Sequence, residues 1–167
     1  AMYRQIGNAV PPPLAKIIAS AIRPEALLKK KVRVLDLCAG IGGFRAGCSL
    51  VKNSDIEFEV VGFAEIDKYA KKAYESMYNT KHEAYIGDIK SFTRKDGDDF
   101  QGGFLKRSAS RSKTIRENVP NHDILFAGFP CQPFSIMGSD LGVHDMLDRG
   151  ELIFDLVEII REKKPSF

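Results

Sequence analysis

Four short runs of the chain are apolar and rich in β-branched or aromatic residues: Val32-Arg33-Val34-Leu35-Asp36-Leu37, Phe58-Glu59-Val60-Val61-Gly62-Phe63-Ala64, Ala84-Tyr85-Ile86 and Asp123-Ile124-Leu125-Phe126-Ala127. Near-continuous apolar runs of this length are the signature of strands buried on both faces of a parallel sheet. They predict strands near 32–37, 58–64, 84–86 and 123–127. Elsewhere apolar residues recur at helical spacing, predicting helices near 13–22, 43–51, 67–78 and 150–163. Leu14, Ile17, Ile18, Ala21 and Ile22 make one face of the first helix; Leu152, Ile153, Leu156, Val157 and Ile160 make one face of the last. Alternating strands and helices predict an α/β fold built on a doubly wound, mostly parallel sheet.

Between 91 and 121 this periodicity fails. Asp96-Gly97-Asp98-Asp99 and Gln101-Gly102-Gly103 read as turns, and Lys106-Arg107-Ser108-Ala109-Ser110-Arg111-Ser112-Lys113 is basic and polar. Such a run suits either phosphate contacts or a solvated, flexible insertion, and the second is the simpler reading. Gly138 to Asp148 is again glycine-rich and polar, the composition of a mobile lid. At the front, Gly7-Asn8 reads as a turn ahead of Pro11-Pro12-Pro13 and the first helix.

Composition adds bounds. A chain of 167 residues suffices for one domain with a sizeable core. Its 44% hydrophobic and 28% charged residues suit a soluble globular protein, and its apolar runs are too short to cross a bilayer. The net charge of +3 permits a nucleic-acid partner without demanding one. Three cysteines, with no Cys-x-x-Cys pair, argue against a disulfide framework and for a reduced, intracellular protein.

Candidate chemistry gathers where the strands end. The first strand runs into Cys38-Ala39-Gly40-Ile41-Gly42-Gly43-Phe44, a glycine-rich turn before a helix, as in nucleotide-cradling folds. Its Gly-x-Gly-Gly spacing differs from the dinucleotide fingerprint, which speaks against a nicotinamide-dependent oxidoreductase. The second strand ends at Glu65-Ile66-Asp67, and an acid at that tip bonds a ribose hydroxyl in this architecture. Glu65 reads equally as a capping or solvated acid, but Asp67 is the better helix N-cap and leaves Glu65 available. Asp88, after the third strand, reads as a ligand or a turn aspartate. The fourth strand leads into Gly128-Phe129-Pro130-Cys131-Gln132-Pro133-Phe134-Ser135, where two prolines stiffen the loop that displays Cys131.

Taken together, these pieces resemble the cytosine-5 DNA methyltransferases over nearly the whole chain except 91–121. Asp36 to Phe44 is similar to the family's cofactor loop, and Glu65 and Asp88 match its ribose and adenine contacts. Gly128-Phe129-Pro130-Cys131-Gln132 looks like the catalytic loop, Arg149-Gly150-Glu151-Leu152 like the motif after it, and Arg4 to Pro11 like the final motif. The resemblance implies an incomplete Rossmann-like sheet of the S-adenosylmethionine-dependent methyltransferase type. It implies S-adenosyl-L-methionine as cofactor, S-adenosyl-L-homocysteine as product, and no metal. Cys131 would be the nucleophile, with Pro130 and Gln132 in its loop. Asn8, Ala9, Asp36, Cys38, Ala39, Gly40, Ile41, Gly42, Gly43, Glu65, Ile66, Asp88, Ile89, Gly128, Pro130 and Leu152 would line the cofactor. Double-stranded DNA with the target base flipped out would be the substrate, in the cytoplasm of a prokaryote and in a restriction–modification context.

Two departures from the family pattern shape the expectation. The final motif stands at the front, so residues 1–26 read as a circularly permuted segment of a single catalytic and cofactor-binding domain over 1–167. The Glu-Asn-Val motif that the family carries on the strand after the Cys131 loop and its helix is not found there, since the tripeptide stands only at Glu117-Asn118-Val119, ahead of that loop. The Gln-x-Arg-x-Arg motif and a target-recognition domain are not found either. The chain therefore reads as a split subunit or fragment, inactive alone, with residues 123–127 presenting an open strand edge to a second polypeptide. Cys38 and Ile66 stand where the family often has aromatics. Two other readings share these motifs: a non-catalytic module binding S-adenosylmethionine or DNA, and a fragment of a tRNA cytosine-5 methyltransferase.

Overall fold

The computed structural model describes residues 2–22, 31–52, 56–94, 109–129 and 152–167. In chain order the described elements are α1 (Met2–Gly7), α2 (Pro12–Ala21), β1 (Lys31–Leu37), α3 (Gly43–Ser49), β2 (Glu57–Ala64), α4 (Lys68–Met77), β3 (Ala84–Tyr85), α5 (Lys90–Thr93), α6 (Ala109–Asn118), β4 (Ile124–Ala127) and α7 (Leu152–Lys163). Where the sequence suggests one domain, contacts divide the chain into two compact units. The first comprises residues 1–88, 119–128 and 165–167; the second, 89–118 and 129–164.

The first unit is a parallel sheet of order β3-β2-β1-β4, flanked by helices. This is the expected α/β fold with a parallel, Rossmann-like sheet. All four predicted strands and the four predicted helices form, within two residues of their expected bounds. Val32, Val34, Leu35 and Leu37 of β1 are fully buried, because a central parallel strand packs on both faces. Val32, Val34, Ile124 and Phe126 meet Ala19, Ile22 and Cys48 in one core cluster; Phe63 and Tyr74 meet Ala39 in another. Phe44 stacks on Phe126 at 4.6 Å between ring centroids, which ties the start of α3 to β4.

Two expectations about this unit need correction. The apolar face assigned to α2 is mostly exposed: Leu14, Ile17 and Ile18 are 49, 67 and 41% accessible. The helix instead buries Ala15, Ala19 and Ile22. Ala15 lies so close to Gly47 of α3 that any β-carbon there would collide with it. Close approach of two backbones favours small residues, and periodicity alone points to the larger ones. The open edge expected at 123–127 is also partly covered. The Ser166 and Phe167 amides donate to the Asp123 carbonyl at 2.9 and 3.2 Å, and the Leu125 amide donates to the Phe167 carbonyl at 3.0 Å. This is parallel pairing by the chain itself onto the first half of β4.

In the second unit, α5, α6 and α7 pack together. The structureless insertion expected over 91–121 is therefore corrected for 109–118, which form α6, and for 90–93, which form α5. The buried face of α7 differs from the predicted one as well. Asp155, Leu156, Glu158 and Ile159 are buried, whereas Ile153 and Ile160 are 38 and 43% accessible. The buried acids have partners within the unit. Asp155 takes a forked pair from Arg94, and the Glu162 side chain accepts from the Ser112 hydroxyl at 2.7 Å and from Arg116 at 2.7 Å. The polar character of 91–121 thus serves the acids of α7, which no local pattern discloses. Among the described residues, no helix is long and apolar enough to cross a membrane.

Candidate functional site

β1 lies between β2 and β4, so the chain changes direction across the sheet at β1. Open α/β sheets bind ligands outside the carboxyl ends of the strands at such a switch point. Among the described residues, Cys38, Glu65 and Asp88 after β1, β2 and β3, and Gly128 after β4, follow the strands at that end.

The turn after β1 is held in an unusual backbone path. Cys38, Gly40 and Gly42 have φ of 54, 57 and 86°, all in the left-handed region. Glycine adopts this freely, but for Cys38 it carries strain. Hydrogen bonds fix the path: the Ala39 amide donates to the Ala64 carbonyl at 2.9 Å, and the Gly42 amide to the Ala39 carbonyl at 2.8 Å. A β-carbon at Gly40 would point into open space, whereas one at Gly43 would strike the Val10 backbone. Val10 thus packs against the turn, and Asn8 and Ala9 immediately precede it. Gly128 closes the other side: its amide donates to the Leu37 carbonyl at 3.3 Å, and a β-carbon there would meet Val10 and the Cys38 carbonyl in ordinary contact.

Glu65 sits at the tip of β2. One carboxylate oxygen accepts from the Gly40 amide at 2.8 Å and the other from the Asp67 amide at 2.7 Å. Each oxygen keeps a further lone pair. Asp67 caps α4, accepting from the Tyr69 and Ala70 amides at 2.8 and 3.1 Å. Ile66 is 75% accessible, a large apolar side chain turned to solvent beside Glu65. Asp88 is exposed, one residue past Gly87, which has φ of 73°.

Asp36 is the electrostatic anomaly of the site. It is 1% accessible, and neither carboxylate oxygen has a hydrogen-bond partner among the described residues. Burial holds its carboxyl well above the usual carboxylate range; Arg45 opposes this, and Glu65 and Glu83 reinforce it. Burial likewise pushes the Cys38 and Cys48 thiols up to about 12, so neither is a thiolate near neutral pH.

Of the remaining predicted site residues, Ala39, Ile41 and Gly43 belong to the turn. Ile89 and Leu152 fall in the second unit, Ile89 buried at the start of α5 and Leu152 as the first residue of α7. Pro130, Cys131 and Gln132 lie outside the described residues.

Behind the turn stands a cluster that sequence reasoning missed. The Tyr78 hydroxyl donates to the Gly42 carbonyl at 3.2 Å, and the Tyr74 and Tyr78 rings fill the space where a Gly42 side chain would go. The Arg45 guanidinium lies 4.4 Å from the Tyr78 ring centroid and donates to the Tyr74 hydroxyl at 3.2 Å and to Glu83 at 2.7 Å. The available signal was Tyr74 on α4, Tyr78 at its C-terminal cap four residues on, and an arginine just inside α3. Nothing local joins them.

The family model described as C-5 cytosine-specific DNA methylase matches residues 32–167, leaving the first 31 outside the match. The chain is 34% identical over 137 residues to the orphan methyltransferase M.Rho11sI of Bacillus phage rho11s, covering 82% of this chain and 22% of that protein. It is 39% identical over 135 residues to the type II methyltransferase M.HhaI of Haemophilus parahaemolyticus, covering 81% and 32%. Against the type II methyltransferase M.HaeII of Haemophilus aegyptius, identity is 37% over 142 residues, covering 82% and 33%. The chain therefore spans between a fifth and a third of the length of these relatives.

Proposed function

Because this chain belongs to the C-5 cytosine-specific DNA methylase family, we propose that it carries the cofactor-binding and nucleophile-bearing part of a DNA cytosine-C5 methyltransferase. The observation that carries the reading is one convergence. The glycine-rich turn, the Glu65 carboxylate bound to it, and Gly128, from which the Pro130-Cys131-Gln132 loop departs, meet at one end of the sheet.

The residues present fit S-adenosyl-L-methionine. Asp36 offers a buried carboxyl with no hydrogen bond among the described residues, suited to a cation, and Gly40 leaves open space over the turn. Glu65 keeps lone pairs for ribose hydroxyls, and exposed Ile66 and Asp88 suit the adenine. Asn8 and Ala9, of the same unit, complete the proposed set. When bound, the cofactor supplies an electrophilic methyl group on a sulfonium.

The chain's own chemistry falls to Cys131, since burial keeps Cys38 and Cys48 protonated. Its thiolate adds to C6 of cytosine; the C5=C6 electron pair moves into the ring and makes C5 nucleophilic. After methylation a base removes the C5 proton, the double bond reforms, and the thiolate leaves from C6. The target atoms are inaccessible in a duplex, so the base is flipped out, and Pro130 and Gln132 shape the loop that meets it. A carboxyl group acting at N3, and a target-recognition part, complete the enzyme. We place their docking on the β4 edge beyond Leu125, whether they come from this polypeptide or a second one. Lacking a general acid alone lowers rate by about 10²–10⁴-fold, so the 167-residue chain by itself turns over slowly or not at all.

The test is trapping. DNA bearing 5-fluorocytosine blocks loss of the C5 substituent, so the Cys131–C6 adduct accumulates and survives denaturing electrophoresis. A cofactor-dependent adduct in the completed enzyme, lost in Cys131→Ala, is the expected result. An adduct that persists in Cys131→Ala removes the assigned nucleophile. Brisk methylation of DNA by the 167-residue chain alone refutes the need for complementation.

A further inference from the structure

We propose that Arg45 is a positioning residue for the glycine-rich turn: its guanidinium fixes the Tyr78 ring, and the Tyr78 hydroxyl fixes the Gly42 carbonyl, so that the turn is set before cofactor arrives. The inference rests on the reading of Cys38 to Gly43 as the cofactor loop, and it concerns what holds that loop from behind.

Left-handed glycines have many other conformations open to them, so such a turn frays unless its surroundings restrain it. On its outer side the restraint is Glu65, which takes the Gly40 amide. On its inner side it is the α4 tyrosines. Tyr78 bonds the Gly42 carbonyl at 3.2 Å, the same carbonyl that accepts the Ala46 amide at 2.9 Å and so opens α3. A tyrosine ring on a helix surface is free to swing unless something pins it. Here the pin is Arg45, 4.4 Å from the Tyr78 ring centroid and 5.3 Å from that of Tyr74, its side chain only 15% accessible. Arg45 is in turn anchored by Glu83, whose side chain is 6% accessible, at 2.7 Å.

A planar guanidinium can lie over a ring and donate in its own plane to two acceptors at once; an ammonium cannot. That makes arginine, rather than a cation in general, the residue this arrangement requires. Arg45 also lies one turn inside α3, so it links the helix to the two aromatic residues that wall Gly42. A binding loop held in its receiving shape spares the ligand the cost of ordering it, and the gain appears as affinity.

Two conservative variants test this in the chain as it stands. Arg45→Lys keeps a cation for Glu83, and Tyr78→Phe keeps the ring, so both are built to fold. In the cofactor-free chain, amide exchange followed by NMR is the direct readout. We expect the Gly40 and Gly42 amides to exchange about 3- to 10-fold faster in each variant, the range set by losing one ordinary hydrogen bond. The amides of β1 should keep their wild-type rates, which separates loosening of the turn from general destabilisation. Calorimetric titration with S-adenosyl-L-methionine should show affinity weakened by a similar factor. Unchanged exchange at Gly40 and Gly42 in both variants overturns the proposal. Wild-type chain that shows no saturable binding of S-adenosyl-L-methionine instead overturns the cofactor reading, and the exchange result still decides whether Arg45 positions the turn.

Discussion

Two aspartates, one in each unit, are buried equally deeply and treated oppositely. Asp155 is 0% accessible, and both of its oxygens are used. Arg94 binds it in a fork at 3.0 and 2.6 Å, and the Thr93 hydroxyl lies 2.6 Å from Oδ1. Asp36 is 1% accessible, with no hydrogen bond to either oxygen among the described residues. Burying a carboxylate costs several kcal/mol unless hydrogen bonds and opposite charge offset it. The first site is therefore complete in the protein alone. The second has no such partner among the described residues, and on the proposed reading the cofactor's cation completes it.

The comparison breaks most visibly if Asp155 is removed. Asp155→Ala removes the forked acceptor of half-buried Arg94 and an acceptor of the Thr93 hydroxyl. Losing one partner of a buried pair costs about 3–5 kcal/mol, to be read by chemical denaturation together with amide exchange in α7. Replacing both partners, Arg94→Met with Asp155→Leu, should recover most of that loss. If Asp155→Ala costs less than about 1 kcal/mol, below any buried-pair value, the two aspartates do not differ in the way argued.

Asp36 should respond in the other direction. Asp36→Asn removes a buried carboxyl that has no hydrogen-bond partner among the described residues, so fold stability stays level or rises. Affinity for S-adenosyl-L-methionine should fall about 10- to 100-fold, from the ~1.5–3 kcal/mol that charged hydrogen bonds contribute. The pH dependence follows from the raised carboxyl. Burial favours the protonated form, so the folded chain binds this proton more tightly than the unfolded chain does. The stabilising contribution is full below the ordinary carboxylate range and is lost as pH rises toward the raised folded value. Cofactor affinity should climb through the same window as the carboxylate forms. Asp36→Asn should flatten both profiles. Titrations and unfolding midpoints at several pH values check this, and an affinity profile with the same slope in wild type and Asp36→Asn would remove Asp36 from the site.

How far the two regions were legible in the sequence differs for the same physical reason. The sheet and the strand-tip residues could be read because their signals are local. Val32 to Leu37 is a buried strand by composition, and Cys38 to Gly43 and Glu65 follow from where strands end. Asp67 could be read as the N-cap because it directly precedes a helical run. The helix faces were misread where the partner, not the pattern, decides. α2 turns Ala15 and Ala19 inward because Gly47 permits close approach, and Leu14 and Ile17 are left exposed. α7 buries Asp155 and Glu158 because arginines await them, one from a distant stretch of chain and one a turn further along the helix. The support behind Gly42 was invisible for a like reason: Arg45 and Glu83 are 38 residues apart.

The smallest effect concerns a third carboxylate, one that is neither buried nor orphaned. Asp67 is the N-cap of α4, and its Oδ1 accepts from the Tyr69 and Ala70 amides. Those amides have no partner inside the helix, so the cap satisfies them, and its charge suits the positive end of the helix dipole. Asp67→Ala should cost about 1 kcal/mol of stability, whereas Asp67→Asn, which keeps the acceptor, should cost a fraction of that. Asp67 also lends its own amide to Glu65 at 2.7 Å, but through the backbone, which neither substitution removes. Cofactor affinity should therefore hold within about threefold in both variants, the change expected from losing less than one ordinary hydrogen bond. An Asp67→Ala chain that keeps its stability but loses cofactor would move Asp67 from the architectural class to the ligand class. That outcome would also undercut hydrogen-bond satisfaction as the property that separates Asp155 from Asp36.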